Sequence, residues 1–168
     1  SYGFFSLGSI LGILSLFLIS FTNLSNKNKL KHKIKELSII NEKSLEIGLF
    51  MLAIGTFLGG VWANESWGRY WGWDPKETWA FVSILIYTFV LHIRLIPKLS
   101  SVFLFNVLSM FAIWTIIMTY FGVNYYLSGL HSYAAGDPMP IPVFVYYLFA
   151  LMIILFITSR YKTKKYYQ

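Results

Sequence analysis

The 168 residues are 57% hydrophobic and 12% charged, carry a formal net charge of +7 and include no cysteine. That balance is far from a soluble domain, and it excludes disulfides, thiolate metal ligands and a cysteine nucleophile within this chain. The surplus positive charge does not point to nucleic acid, because it is gathered into a few connections between apolar blocks.

Those apolar blocks have membrane-spanning length and lie near residues 3–22, 45–61, 78–95, 102–123 and 141–159. Inside hydrocarbon the backbone has no water to bond, so each block reads as a helix. The predicted fold class is all-α: a polytopic transmembrane helical bundle of about five spans, in a single domain covering 1–168. The first span carries Gly8 and Gly12, and the second Gly55 and Gly59, both in the GxxxG spacing that allows close helix contact. The connection over 23–44 is polar, basic and partly helical, and His32 in its lysine run reads as a solvated histidine.

Charge orients the spans. Lys27, Lys29, Lys31, Lys33, Lys35 and Lys43 fall in the first connection, Arg94 and Lys98 in the third, and Arg160, Lys162, Lys164 and Lys165 in the tail. Only Arg69 and Lys76 fall on the other side. The excess of basic residues on cytoplasmic loops then predicts that the N-terminus, the 62–79 loop and the 124–140 loop are external.

Five of the six tryptophans, Trp62, Trp67, Trp71, Trp73 and Trp79, fall within that 62–79 loop. Trp62 and Trp79 stand at span ends, where an interfacial aromatic belt accounts for them. Trp114 is a core or lipid-facing residue of the fourth span. Trp67, Trp71 and Trp73 lie among Gly68 and Gly72, where backbone and ligand can approach closely, and they suggest a flat aromatic platform for a large planar ligand. Asp74-Pro75-Lys76-Glu77 reads as a helix start, with Asp74 as N-cap, Pro75 at N1 and Glu77 closing a capping box. That cap sets the angle at which Trp71 and Trp73 leave the membrane surface.

His92 lies about 26 Å along the third helix from Pro75, deep and toward the cytoplasmic side. Ionisable residues within spans usually face the bundle interior and mark a function. His131 lies in an external loop on the same side as the tryptophans, and its neutral imidazole suits axial ligation of a haem iron. Asp137-Pro138 reads as the start of the fifth helix. No catalytic carboxylate pair, nucleophile triad or close metal-ligand cluster is visible, so the inventory fits the positioning of a cofactor and a partner's groups, not hydrolysis.

The run Trp67-Gly68-Arg69-Tyr70-Trp71-Gly72-Trp73-Asp74-Pro75-Lys76-Glu77-Thr78-Trp79-Ala80 resembles the WWD signature of the haem-handling proteins of cytochrome c maturation. Its Pro-Lys-Glu-Thr-Trp ending, with Gly122-Val123-Asn124 and Gly129-Leu130-His131-Ser132-Tyr133, is most similar to the CcsA branch. That branch includes ResC and the C-terminal part of fused CcsBA synthases. CcmC and CcmF share the tryptophans and differ after the Asp-Pro.

The resemblance implies a system II haem exporter and cytochrome c synthase in the bacterial inner membrane or the thylakoid membrane. Haem b enters from the cytoplasmic side and is presented externally for thioether attachment to the Cys-X-X-Cys-His thiols of an apocytochrome c. Trp67, Trp71, Trp73 and Asp74 match the positions that hold the porphyrin, His131 an external axial ligand and His92 a transmembrane ligand. Partners implied are a CcsB/ResB-like membrane protein, separate or fused, the apocytochrome c and the lipid bilayer, with no nucleic acid. A CcmC-like handover protein without ligation activity is the alternative. In the family the first external histidine just precedes a Ser-Tyr like Ser1-Tyr2, so a longer chain with further ligands upstream is expected.

Overall fold

The computed structural model describes residues 1–127 and 140–167. Six helices follow in order: α1 Tyr2–Ser20, α2 Lys27–Trp67, α3 Pro75–His92, α4 Val102–Ile117, α5 Val123–Tyr126 and α6 Val143–Tyr166. A short 3-10 turn, Ile93–Leu95, extends α3, and a π-helical turn, Met118–Gly122, joins α4 to α5 without a break in the span. Among the described residues there is no strand, and five helical segments are long and apolar enough to cross a membrane, as the hydropathy blocks predicted.

The largest departure from the sequence expectation is α2. The 23–44 connection is no loop ahead of a short span: one 41-residue helix runs from Lys27 to Trp67. At 1.5 Å per residue it is about 60 Å long, twice the roughly 30 Å of a hydrocarbon core. The lysines conceal a buried seam, Ile34, Ser38, Asn41, Leu45, Gly48 and Leu52, at alternating spacings of four and three. That seam packs along α1 and α4 and makes one rigid rod of what reads by hydropathy as two segments. His32 is exposed on the outer side of this rod.

Helix α1 is the axis of the bundle and packs against α2, α4 and α6. Phe5 joins Leu45, Tyr87, Phe105 and Ile116 in one apolar cluster, and Leu16 and Ile19 join Ile34, Met110 and Met152 in a second. Phe5 and Tyr87 stack with ring centroids 3.8 Å apart. The first Gly pair works as predicted: Gly8 faces Asn41 and Leu45, and Gly12 faces the backbone of Asn106 and Met110. The second pair does not, since nothing lies within 4 Å of where a side chain at Gly55 or Gly59 would stand.

The close approach of α1, α2 and α4 encloses a polar network. Asn106 Nδ2 donates to Ser38 Oγ at 2.7 Å and to Val102 O at 2.8 Å, while its Oδ1 accepts from Asn41 at 3.3 Å. The single Ser109 hydroxyl proton is shared between Asn41 Oδ1 at 3.0 Å and Gly8 O at 3.1 Å. Every member has a partner, as the inside of a membrane bundle demands. Asn106→Leu leaves the Asn41 Nδ2 donor without its acceptor and is expected to cost about 1–2 kcal/mol. Thermal unfolding in detergent, followed by helical circular dichroism, reads this; an unchanged midpoint would show the network to be dispensable.

At one end of the bundle, Arg94 pairs with Glu42 and lies 4.2 Å from the Phe105 ring, tying the 3-10 turn to α2. Lys162 Nζ donates to Thr22 O at 3.2 Å at the far end of α1, where the α6 tail meets the turn between α1 and α2. Helix α6 starts at Val143, after Pro140 and Pro142, later than the Asp137-Pro138 start predicted; Asp137 and Pro138 lie outside the described residues. Prolines lack the N–H a helix interior needs, so the last of them sets the boundary.

Candidate functional site

The tryptophan segment is shorter as a loop than its sequence suggests. Helix α2 runs through Trp62 to Trp67 and stops at Gly68, whose φ of 71° and N–H bond to Asn64 O at 2.9 Å form a left-handed cap. Helix α3 begins at Pro75, which leaves residues 68–74 as the connection. Trp62 and Trp67 are therefore helical residues, and only Trp71 and Trp73 stand in the loop proper.

The predicted capping box is present. Asp74, 7% exposed, accepts from Lys76 N at 3.0 Å, and Glu77 reaches back to the Asp74 N–H at 3.3 Å. Glu77 goes further and accepts the Gly72 N–H at 2.8 Å with the same oxygen, Oε2. Its other oxygen lies 3.6 Å from Arg69 Nη1. The Arg69 guanidinium occupies the space where a Gly72 side chain would stand, and lies 5.8 Å from the Trp67 ring. Gly72 has no positive φ, so the need for glycine there is room for Arg69, not backbone freedom. Sequence reasoning gave Arg69 no role and Glu77 only a capping one; the i to i+3 box is a local signal, but the reach back to residue 72 depends on the folded loop.

The rings do not form a flat platform. Trp62 and Trp67 meet edge to face at 5.0 Å and 76°, and Trp71 and Trp73 at 5.8 Å and 88°. Edge-to-face contact suits the ring quadrupoles, and it makes walls instead of a floor. The floor is helix α2: Gly55, Gly59 and Gly60 line a groove of about 280 Å³ with Trp62 and Trp71 beside them and Tyr2 and Glu77 at its margins. Gly60 lies under the loop, with its absent side chain only 3.1 Å from Tyr70 O. Trp62, which belt placement accounted for in the sequence, is thus a wall of the groove. Trp73 is 69% exposed and points out of the groove.

Below the loop, α3 is locked to α4 through the π turn. Thr119 Oγ1 donates to Thr115 O at 2.7 Å and sits 3.2 Å from both Trp79 O and Ser83 Oγ of α3. The wider π turn brings Thr119 to α3, and such turns recur near functional sites. Trp79 is half-buried at this junction, and Trp114 packs edge to face on Phe149 of α6 at 5.5 Å.

His92 is not near the groove. It ends α3, 18 residues after Asp74 and about 27 Å away along the axis, with Nδ1 2.7 Å from Thr88 O. Its side chain is exposed, on the outer stripe with Phe81, Leu85 and Phe89, while Tyr87 and Val90 face the core. The expected inward orientation is therefore not found among the described residues. His131 lies outside the described residues. Among the described residues, no group of three or more His, Cys, Asp or Glu is placed to hold a metal ion.

Residues 1–131 match the family of the cytochrome c assembly protein. Protein NrfI of Wolinella succinogenes is 56% identical over 140 residues, which covers 83% of this chain and 15% of that protein. The cytochrome c biogenesis protein CcsA of Oenothera argillicola is 40% identical over 121 residues, covering 70% of this chain and 37% of that protein. CcsA of Cuscuta reflexa is 44% identical over 104 residues, covering 61% and 33%. The chain thus spans well under half the length of these relatives, and its groove, loop and capping box lie inside the matched segment. It belongs to the cytochrome c assembly protein family and within it is of the CcsA type.

Proposed function

We propose that this chain is the haem-presenting part of a system II cytochrome c maturation protein, and that the groove between α2 and the tryptophan loop receives haem b as substrate. The observation that carries this reading is the groove itself: open space over Gly55 and Gly59, flanked by Trp62 and Trp71. At about 280 Å³ it falls just below pockets that enclose whole drug-sized ligands, roughly 300–1,000 Å³. A groove of that size takes the edge of a large flat ring and leaves the remainder to other elements.

His131, which lies outside the described residues, is assigned to one such element; α5, the last described helix before it, follows the π turn in which Thr119 meets Trp79 of α3. In this reading His131 supplies an axial imidazole, Trp71 and Trp62 exclude water from the ring edge, and Asp74 holds the loop entry. Trp67 supports Trp62, and Trp73 supports Trp71 from the outer side. His92, at the far end and on an outer stripe, serves as a transmembrane ligand only together with a group that covers that stripe. The chain has no thiol of its own, so the thioether sulfurs come from an apocytochrome c, with a CcsB-like membrane protein as partner.

His131→Ala in the full-length protein is expected to lower haem retained on purification, with added imidazole restoring most of it. Absence of rescue would overturn the axial-ligand role. Co-expression of the full-length protein with its partner and an apocytochrome decides the reaction: covalent haem on denaturing gels supports synthesis, and haem transfer without covalent product supports handover alone.

A further inference from the structure

We propose that Glu77, backed by Arg69, is the positioning residue of the tryptophan loop, with its carboxylate filling an anion-binding nest made by the Gly72 and Asp74 N–H groups. These two N–H groups flank Trp73 and converge on one oxygen, Glu77 Oε2, at 2.8 and 3.3 Å. Trp73 between them has φ 58°, a left-handed conformation that bulky L residues rarely adopt. N–H groups on either side of such a residue can converge on one anion, the concavity that in other proteins binds phosphate. Here a carboxylate from the first turn of α3 occupies it.

The rest of the loop is arranged to keep that carboxylate in place. Glu77 is 10% exposed, and Arg69, its charge partner at 3.6 Å, is 31% exposed. Arg69 comes from the residues just after α2, so the pair ties the end of one span to the start of the next. Thr78 Oγ1 adds a bond to Trp73 O at 3.3 Å, on the other side of the same residue. Glu77 also borders the groove, so it sets both the backbone that carries Trp71 and Trp73 and one margin of the cavity. Its consequence for haem rests on the proposed reading of the groove; its action on the loop does not.

The test uses the full chain in detergent and reads the near-ultraviolet circular dichroism of the Trp71–Trp73 pair, defined by difference from Trp73→Phe. Glu77→Ala is expected to lose that signal with helical content unchanged. Glu77→Gln, whose amide oxygen still accepts both N–H groups, is expected to keep most of it, and added formate is expected to restore it in Glu77→Ala by refilling the nest. Haem retention is expected to fall about tenfold in Glu77→Ala, the change that one left-handed residue released from its frame produces. A signal that survives in Glu77→Ala, or one that returns with neither Gln nor formate, overturns the proposal. A signal lost and restored while haem retention never changes supports the pin and overturns instead the assignment of the groove to haem. Gly72→Ala displaces Arg69 and leaves Glu77 and the indoles in place, so it carries the test if Glu77→Ala fails to insert. Partial loss of the signal is then expected, and a full signal overturns the part given to Arg69.

Discussion

Gly12→Val is expected to separate α1 from α4 and to cost about 3 kcal/mol, the upper range for overpacking a filled interior. A Cβ on Gly12 would stand 2.9 Å from Asn106 O and 3.4 Å from Met110 N. Both are backbone atoms of a helix, so no rotamer change relieves the clash and the helices must move apart. The movement would also stretch the bonds of Ser109 to Gly8 O and of Ser9 to Met110 O, which cross the same interface. Unfolding in detergent, followed by circular dichroism and by the homogeneity of the detergent-solubilised species, measures the loss. The comparison variant is Gly55→Val, where nothing lies within 4 Å and no such loss is expected. Equal stability of the two variants would contradict the packing of α1 described above.

Gly59→Leu is expected to have the opposite signature, with stability kept and haem lost. Leucine is a better helix former than glycine by nearly 1 kcal/mol, and the site is open, so the helix itself is expected to gain. The new side chain fills the floor of the groove between Trp62 and Trp71, where the ring edge is proposed to lie. Haem co-purifying with the full-length protein, read from the Soret band per protein, is expected to drop at least about tenfold. A variant that is stable yet keeps its haem would show that the ligand sits elsewhere. The pair of variants separates the two glycine motifs, which have identical spacing: one is a contact and the other a space.

That contrast shows where sequence reading stops. GxxxG spacing places two small residues on one helix face, but the spacing does not say whether a helix or a cavity lies opposite. The same limit applies to Trp62 and Trp67, five apart at the end of a helix, and to Trp71 and Trp73. The angle of the first pair comes from side-chain packing within α2 and that of the second from the left-handed turn at Trp73, not from the order of residues. Asp74 and Glu77 were legible because a capping box is local, closing within one turn. The hold of Glu77 on Gly72 and Arg69 was not legible, because it spans two helix ends. The seam from Ile34 to Leu52 was legible in period but hidden in composition: Lys35, Glu36, Lys43 and Glu46 on its outer side lower the hydropathy that marks a span.

By itself the sequence determined the class: five apolar blocks, which are helices because hydrocarbon leaves the backbone no other partner. It also determined the family, because the tryptophan run and its Asp-Pro-Lys-Glu-Thr-Trp ending are a local string that needs no fold to be read. Only the tertiary structure decided that the tryptophans are walls instead of a platform, that the glycines of α2 are their floor, and that His92 faces outward. Those are relations between helices, set by which faces pack at Gly8, Gly12 and Asn106. Side-chain order along one chain does not carry that information.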